Sequence, residues 1–182
     1  MKIHSLETGN LKLDGGAMFG VVPKVLWQKV YPADENNLVN LSMRAMLVET
    51  GDRKILMDTG IGNKQDESFF KHYYLNGDDS LLGSLENVGV KPEEITDVIL
   101  THLHFDHCGG AVAKLNDGSL APTFVNATYI TGKEQWEDAI RPNARERASY
   151  LKENLLPLKE SGQLKLIEKD TQIAPGIMLR LF

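Results

Sequence analysis

Three of the chain's five histidines fall within six residues, His102-Leu103-His104-Phe105-Asp106-His107, and Cys108-Gly109-Gly110 follows at once. Imidazoles packed beside a carboxylate need a compensating partner, so this segment constrains the fold more than any other. It comes directly after Asp97-Val98-Ile99-Leu100-Thr101, an apolar run suited to a strand buried on both faces. A rigid element therefore aims it. Where the chain is extended its side chains alternate, so His102 and His104 point one way while Leu103 and Phe105 point into the apolar body. A bend near Phe105 swings Asp106 and His107 toward a second, neighbouring point.

The donor types at this spacing match a metal centre. Two histidines make half of a tetrahedral zinc site, and an aspartate with a histidine makes half of another. Two metals about 3.5–4 Å apart can hold a bridging hydroxide and polarise a carbonyl or phosphoryl oxygen. The plain alternative is a histidine-rich turn with no metal. Cys108 reads either as a ligand or as a small buried filler. Asp58 ends the apolar run Lys54–Met57 and leads into Thr59-Gly60. It reads as a turn carboxylate or as an acceptor that orients a ligand or its loop. His4 and His72 lie far off in sequence and read as surface or core.

Composition narrows the class. The 182 residues carry 20 Lys+Arg against 25 Asp+Glu, a net charge of -5, which disfavours phosphate-contacting nucleic-acid binders. One cysteine excludes an intrachain disulfide. No apolar run approaches the roughly 20 residues that span a bilayer, and the first residues lack a signal-peptide core, so a reducing cytoplasm is the expected address.

The element order is mixed. A strand is expected at Lys2–Thr8 within an otherwise irregular first 40 residues, followed by a hairpin of Met43–Glu49 and Lys54–Asp58. Residues 63–79 read as a loop with about one helical turn. Helices are expected at 81–88, after Gly109-Gly110, at Lys133–Ala139 and at Ala144–Leu156. Further strands are expected at Asp97–Thr101, Thr128–Thr131, Leu164–Ile167 and Met178–Phe182. Hairpins mixed with strand–helix units predict a single layered α+β domain over 1–182.

His102-Leu103-His104-Phe105-Asp106-His107 with Gly109-Gly110, together with Asp58-Thr59-Gly60 upstream, resembles the signature of the metallo-β-lactamase superfamily. The resemblance implies an αββα sandwich with a dinuclear centre, usually zinc, with manganese, cobalt or iron as alternatives. His102 and His104 would bind the first metal, and Asp106 and His107 the second. The segment Leu13–Lys24 with Trp27 is similar to the branch of N-acyl-homoserine lactonases and methyl parathion hydrolase. There Met18, Phe19 and Trp27 would help line an acyl pocket, against the alternative that they are core.

A metal-activated hydroxide would then attack a lactone or ester carbonyl, with Asp106 passing a proton to the leaving alkoxide. The partner implied is a small lactone or ester, with neither nucleic acid nor membrane. The family also uses a third first-metal histidine, a bridging aspartate and a last histidine, which lie beyond Phe182. The expectation is therefore the N-terminal two-thirds of the fold, with apolar surface open to association such as a homodimer. The rival readings are a truncated or degenerate homologue without catalysis, or a phosphotriesterase or thioesterase of the same superfamily.

Overall fold

The computed structural model describes all residues 1–182. Ten strands form: β1 (Lys2–Asp14), β2 (Leu38–Thr50), β3 (Arg53–Met57), β4 (Asp97–Ile99), β5 (Val112–Lys114), β6 (Leu120–Pro122), β7 (Thr128–Gly132), β8 (Leu164–Ile167), β9 (Thr171–Ala174) and β10 (Ile177–Leu179). Seven helices accompany them: α1 (Gly15–Phe19), α2 (Lys24–Trp27), α3 (Glu67–Phe70), α4 (Leu81–Asn87), α5 (Phe105–Cys108), α6 (Lys133–Ile140) and α7 (Lys152–Glu160).

Six strands make one sheet in the order β1-β2-β3-β4-β7-β8. Its first three strands meander antiparallel, and β3, β4, β7 and β8 run parallel. The period-2 alternation splits the strand residues between two cores. Leu47, Leu56, Val98 and Tyr129 face the helical side, with Leu85 of α4, Trp136 of α6 and Leu155 and Leu158 of α7. Val48, Ile55, Ile99 and Ile130 face the other way, against Ile173 and Ala174 of β9 and Leu179 of β10. Helices, sheet and a two-stranded β layer thus stack in sequence, in keeping with the αββα plan. Each fully buried leucine in these layers contributes about 1.5–3 kcal/mol.

Local chemistry accounts for the boundaries. Ser80 caps α4 by accepting from the Gly83 amide at 3.1 Å, and Leu81 and Leu85 are its buried face. Arg53 forks onto the buried Asp97 and also donates to the Ile173 carbonyl, which ties the β9–β10 hairpin to the sheet.

Several boundaries differ from those expected. The first 40 residues are not irregular, because β1 extends to Asp14 by absorbing a register slip between Glu7 and Asn10. The helix expected after Gly109-Gly110 precedes those glycines, and the β5–β6 hairpin follows them. In place of a helix over 144–156 there is a single 3-10 turn at Arg147–Ser149, and then α7. α7 continues past Pro157, which is buried with Leu158, although proline removes the bond that would reach the Glu153 carbonyl. β9 was not expected, and the last strand ends at Leu179, short of Phe182.

Candidate metal centre

The bend grows from β4, whose three residues are all buried. Leu103 is fully buried and Phe105 nearly so, so the residues between and after them are pushed toward the surface. His102 and His104 lie edge to face with ring centroids 4.8 Å apart, and His102 and His107 lie 3.9 Å apart. The His107 and Cys108 amides both bond to the His104 carbonyl at 3.0 Å, which turns the chain into α5 and brings Asp106 and His107 round to the same end of the sheet. Asp106 Oδ2 sits 3.5 Å from His107 Nε2. Cys108 is fully buried, with its thiol donating to the Leu103 carbonyl at 3.3 Å.

Asp58 braces this bend. It sits at the end of β3 with φ of 60°, a left-handed conformation that costs an aspartate on the order of 1 kcal/mol. Its carboxylate accepts from the Thr101 amide at 2.9 Å and from the Thr101 hydroxyl at 2.8 Å. The other contact of Oδ2 is His107 Nδ1 at 2.9 Å. Thr101 Oγ1 in turn lies 3.2 Å from His102 Nδ1. With their Nδ1 atoms engaged, His102 and His107 keep Nε2 free.

The backbone is clamped as tightly as the side chains. The Thr59 amide and hydroxyl both donate to the His107 carbonyl, at 2.7 and 3.0 Å, and the Gly110 amide donates to the Gly60 carbonyl at 3.0 Å. A Cβ placed on Gly109 would lie 2.0 Å from the Ile61 carbonyl oxygen, and one on Gly110 would lie 2.2 Å from that of Thr59. These two glycines are required by close approach of backbone to backbone.

Electrostatics separate the rings. For His102, burial lowers the pKa, and the neighbouring His107 and His104 lower it further. For His107, burial also pulls down, but the hydrogen bond to Asp58 and the charges of Asp106 and Asp58 outweigh it and hold the pKa above the ordinary histidine value. His102 is thus kept as a neutral donor.

Three imidazoles and the Asp106 carboxylate are the donor chemistry that zinc-like dications select. In kind the set fits; in number it is partial, since no three His, Cys, Asp or Glu side chains close round one point. Two donors per metal is fewer than a stable site uses.

His4 pairs with Glu49 at 2.9 Å, and His72 is exposed. Phe19 stacks on Trp27 at 4.7 Å, Trp27 is buried against Gly15, and Met18 is exposed. The aromatic neighbours of the bend are different residues: Tyr150, 5.1 Å from His104, and Tyr73 and Phe69, packed on Phe105 at 4.6 and 5.4 Å. Thr101 and Thr59 are the supports that sequence reasoning passed over. Thr101 ends the apolar run before the histidines, and nothing in a single threonine signals a bond to a carboxylate 43 residues earlier. A cavity of about 490 Å³ opens beside Thr59, Gly62 and Gly110, and none of the three clustered histidines lines it.

Comparison with known proteins converges on this region. Residues 44–118 match the metallo-beta-lactamase superfamily, a stretch that runs from β2 through the bend to the turn after β5. An N-acyl homoserine lactonase of Bacillus cereus is 33% identical over 153 residues, covering 79% of this chain and 54% of the lactonase. The chain therefore spans about half the length of that curated relative. A solved structure of a probable metal-dependent hydrolase from Staphylococcus aureus superposes with a TM-score of 0.89 at 36% identity, covering 98% of this chain and 63% of the other. An N-acyl homoserine lactone hydrolase, solved with N-hexanoyl-L-homoserine at its catalytic metal centre, superposes at 0.69 with 26% identity, covering 98% and 64%. With the match lying across the strand, brace and bend that build the site, residues 44–118 carry a metallo-β-lactamase superfamily domain.

Proposed function

We propose that this chain is the metal-binding part of a hydrolase that opens a lactone or ester of a small molecule. The observation that carries the reading is the braced bend: the His102 ring in contact with those of His104 and His107, with Asp58 on Nδ1 of His107 and Asp106 beside its Nε2. His102 and His104 would hold one metal, and Asp106 and His107 the other, with further ligands from outside these 182 residues. The pair is zinc in this reading, with manganese, cobalt or iron as substitutes. The likeness to lactonases supports the lactone as substrate.

Bound metals supply Lewis acidity, which lowers the pKa of water toward about 7 and polarises a carbonyl oxygen. The chain's own residues do the rest. Asp58 fixes the His107 ring and its tautomer, so that Nε2 carries the lone pair. Thr101 orients His102 in the same way. Asp106 receives the proton on a carboxylate oxygen and hands it to the leaving alkoxide. The free thiol Cys108 and the acidic balance support a cytoplasmic address and a small-molecule substrate.

The test is ring opening of an N-acyl homoserine lactone by the whole hydrolase, this chain together with the further ligands, before and after exhaustive chelation. The expected result is loss on chelation and recovery with zinc, manganese or cobalt. Activity that survives chelation contradicts the reading, and preference for a phosphotriester or a thioester moves the substrate within the superfamily. A second reading, a homologue that binds metal weakly and does not catalyse, is favoured by the incomplete donor count. Elemental analysis separates the two, since about two tightly held metals per chain would exclude it.

A further inference from the structure

Behind the bend lies a buried polar cluster with no part in the chemistry above. Lys64 reaches in from the loop after Asp58, and its Nζ donates to the carbonyl of Gly109, the residue that closes α5. The buried Cys108 thiol and the Glu153 carboxylate are the other charged or ionisable groups that act on it. Next to it, Gln65 Nε2 donates to Asn154 Oδ1 at 3.0 Å. Asn154 is fully buried, yet its Nδ2 has no partner, and neither has Gln65 Oε1.

Lys64 is half-buried, and taking an ammonium even partly out of water is costly when its hydrogen-bond partner is a neutral carbonyl. Burial pushes the Lys64 pKa down to about 8, which registers that cost. A methionine would fill much the same volume without it. What the lysine adds is a charged donor at the C-terminal end of α5, where the last carbonyls lack partners and a cation is favoured. α5 is four residues long, too short to hold its own shape, and two of the four are Asp106 and His107. Thr59 fixes the His107 carbonyl, and Lys64 fixes the next free carbonyl along.

We propose that Lys64 is a positioning residue for the bend: its ammonium, clamped on the Gly109 carbonyl, sets the rotation of α5 and so the directions of Asp106 and His107. The functional side of this inference rests on the metal reading given above. The clamp itself does not, and the two are measured separately.

The experiment compares the whole hydrolase that contains this chain with its Lys64→Met and Lys64→Arg forms. Amide hydrogen exchange is followed at Thr59 and Gly110, which bond across the clamp, with Leu100 and Tyr129 in the sheet as references. Cobalt affinity is read from the visible d–d bands at a temperature where circular dichroism shows every variant folded. In Lys64→Met, exchange at Thr59 and Gly110 is expected to speed up tenfold or more while the references hold. Cobalt affinity is expected to fall about 10- to 100-fold, the usual loss when an outer support of a ligand is removed. Lys64→Arg should restore most of both. Unchanged exchange at Thr59 and Gly110, or equal acceleration at the references, overturns the clamp. So does a cobalt affinity that stays at the starting value in Lys64→Met. A starting chain that binds no cobalt overturns the metal reading, and the exchange data then decide the clamp alone. Lys64→Gln, a donor without charge, carries the same readouts should the methionine variant fail to fold.

Discussion

Residues 58–64, a loop, and residues 15–31, which carry the short helices α1 and α2, both contain glycines and sit beside aromatic rings, but they are constrained differently. The first runs alongside His107–Gly110 and is tied to it by backbone bonds at Thr59 and Gly60 and by the Thr59 hydroxyl and the Lys64 ammonium on backbone carbonyls. The second bonds mostly within itself: its Gly15 amide donates to the Asn37 carbonyl at 2.8 Å, and Phe19, Trp27 and Tyr31 pack together. Its remaining apolar residues face outward: Val21 is 100% exposed and Val30 83%. Backbone-to-backbone clamping fixes the positions of donor atoms, whereas ring stacking fixes only a rough shape. The residues that need accurate placement sit in the clamped segment.

The sharpest way to break this contrast is to add one methyl group to each loop. Gly109→Ala drives its Cβ into the Ile61 carbonyl and should destabilise the chain by about 3 kcal/mol or more, measured by urea denaturation. Gly20→Ala, whose Cβ meets nothing within 4 Å, should cost less, about 1–3 kcal/mol, for its positive φ alone. Equal costs would mean that the two loops are not differently built.

Next in size is Asp58→Asn. The shape survives, but the charge that braces His107 is lost, and metal affinity should fall roughly 10- to 100-fold in a chelator competition. The same change at the exposed Asp52, in the β2–β3 turn, should leave affinity unaltered.

A smaller contrast concerns reactivity. Burial pushes the Cys108 thiol up to about 12, so the native chain should resist iodoacetamide at pH 8 and label only once unfolded, as read by mass spectrometry.

The smallest effect is a pH dependence at Lys64. Its folded pKa of about 8 lies below the unfolded value near 10.4, so between these values the unfolded chain holds the extra proton. Stability should therefore gain from this group as pH rises from about 8 to 10, and Lys64→Met should remove that gain. A melting temperature with the same alkaline slope in both chains would contradict it.

The sequence alone carried the bend far better than its supports. Three histidines and an aspartate beside a buried strand are local facts, and alternation along an extended chain places His102 and His104 together. Thr101, Thr59 and Lys64 act across more than 40 residues, and no local pattern reports a contact that folding creates. The misplaced boundaries have similar causes. Gly9-Asn10 reads as a strand breaker, yet β1 passes through by a bulge in which Gly9 takes φ of 115°. Pro157 reads as a helix end, yet α7 buries it and continues for three more residues. Short β9 shows no clean alternation, because its packing against Val48, Ile55 and Ile130 is a tertiary fact.

The most direct test of the account is X-ray absorption on the zinc-loaded full chain, compared with His102→Ala and His107→Ala. The account predicts imidazole scattering with nitrogen at about 2.0–2.1 Å, diminished in each variant. Zinc bound with no imidazole signal, or with a signal that neither substitution alters, would contradict it.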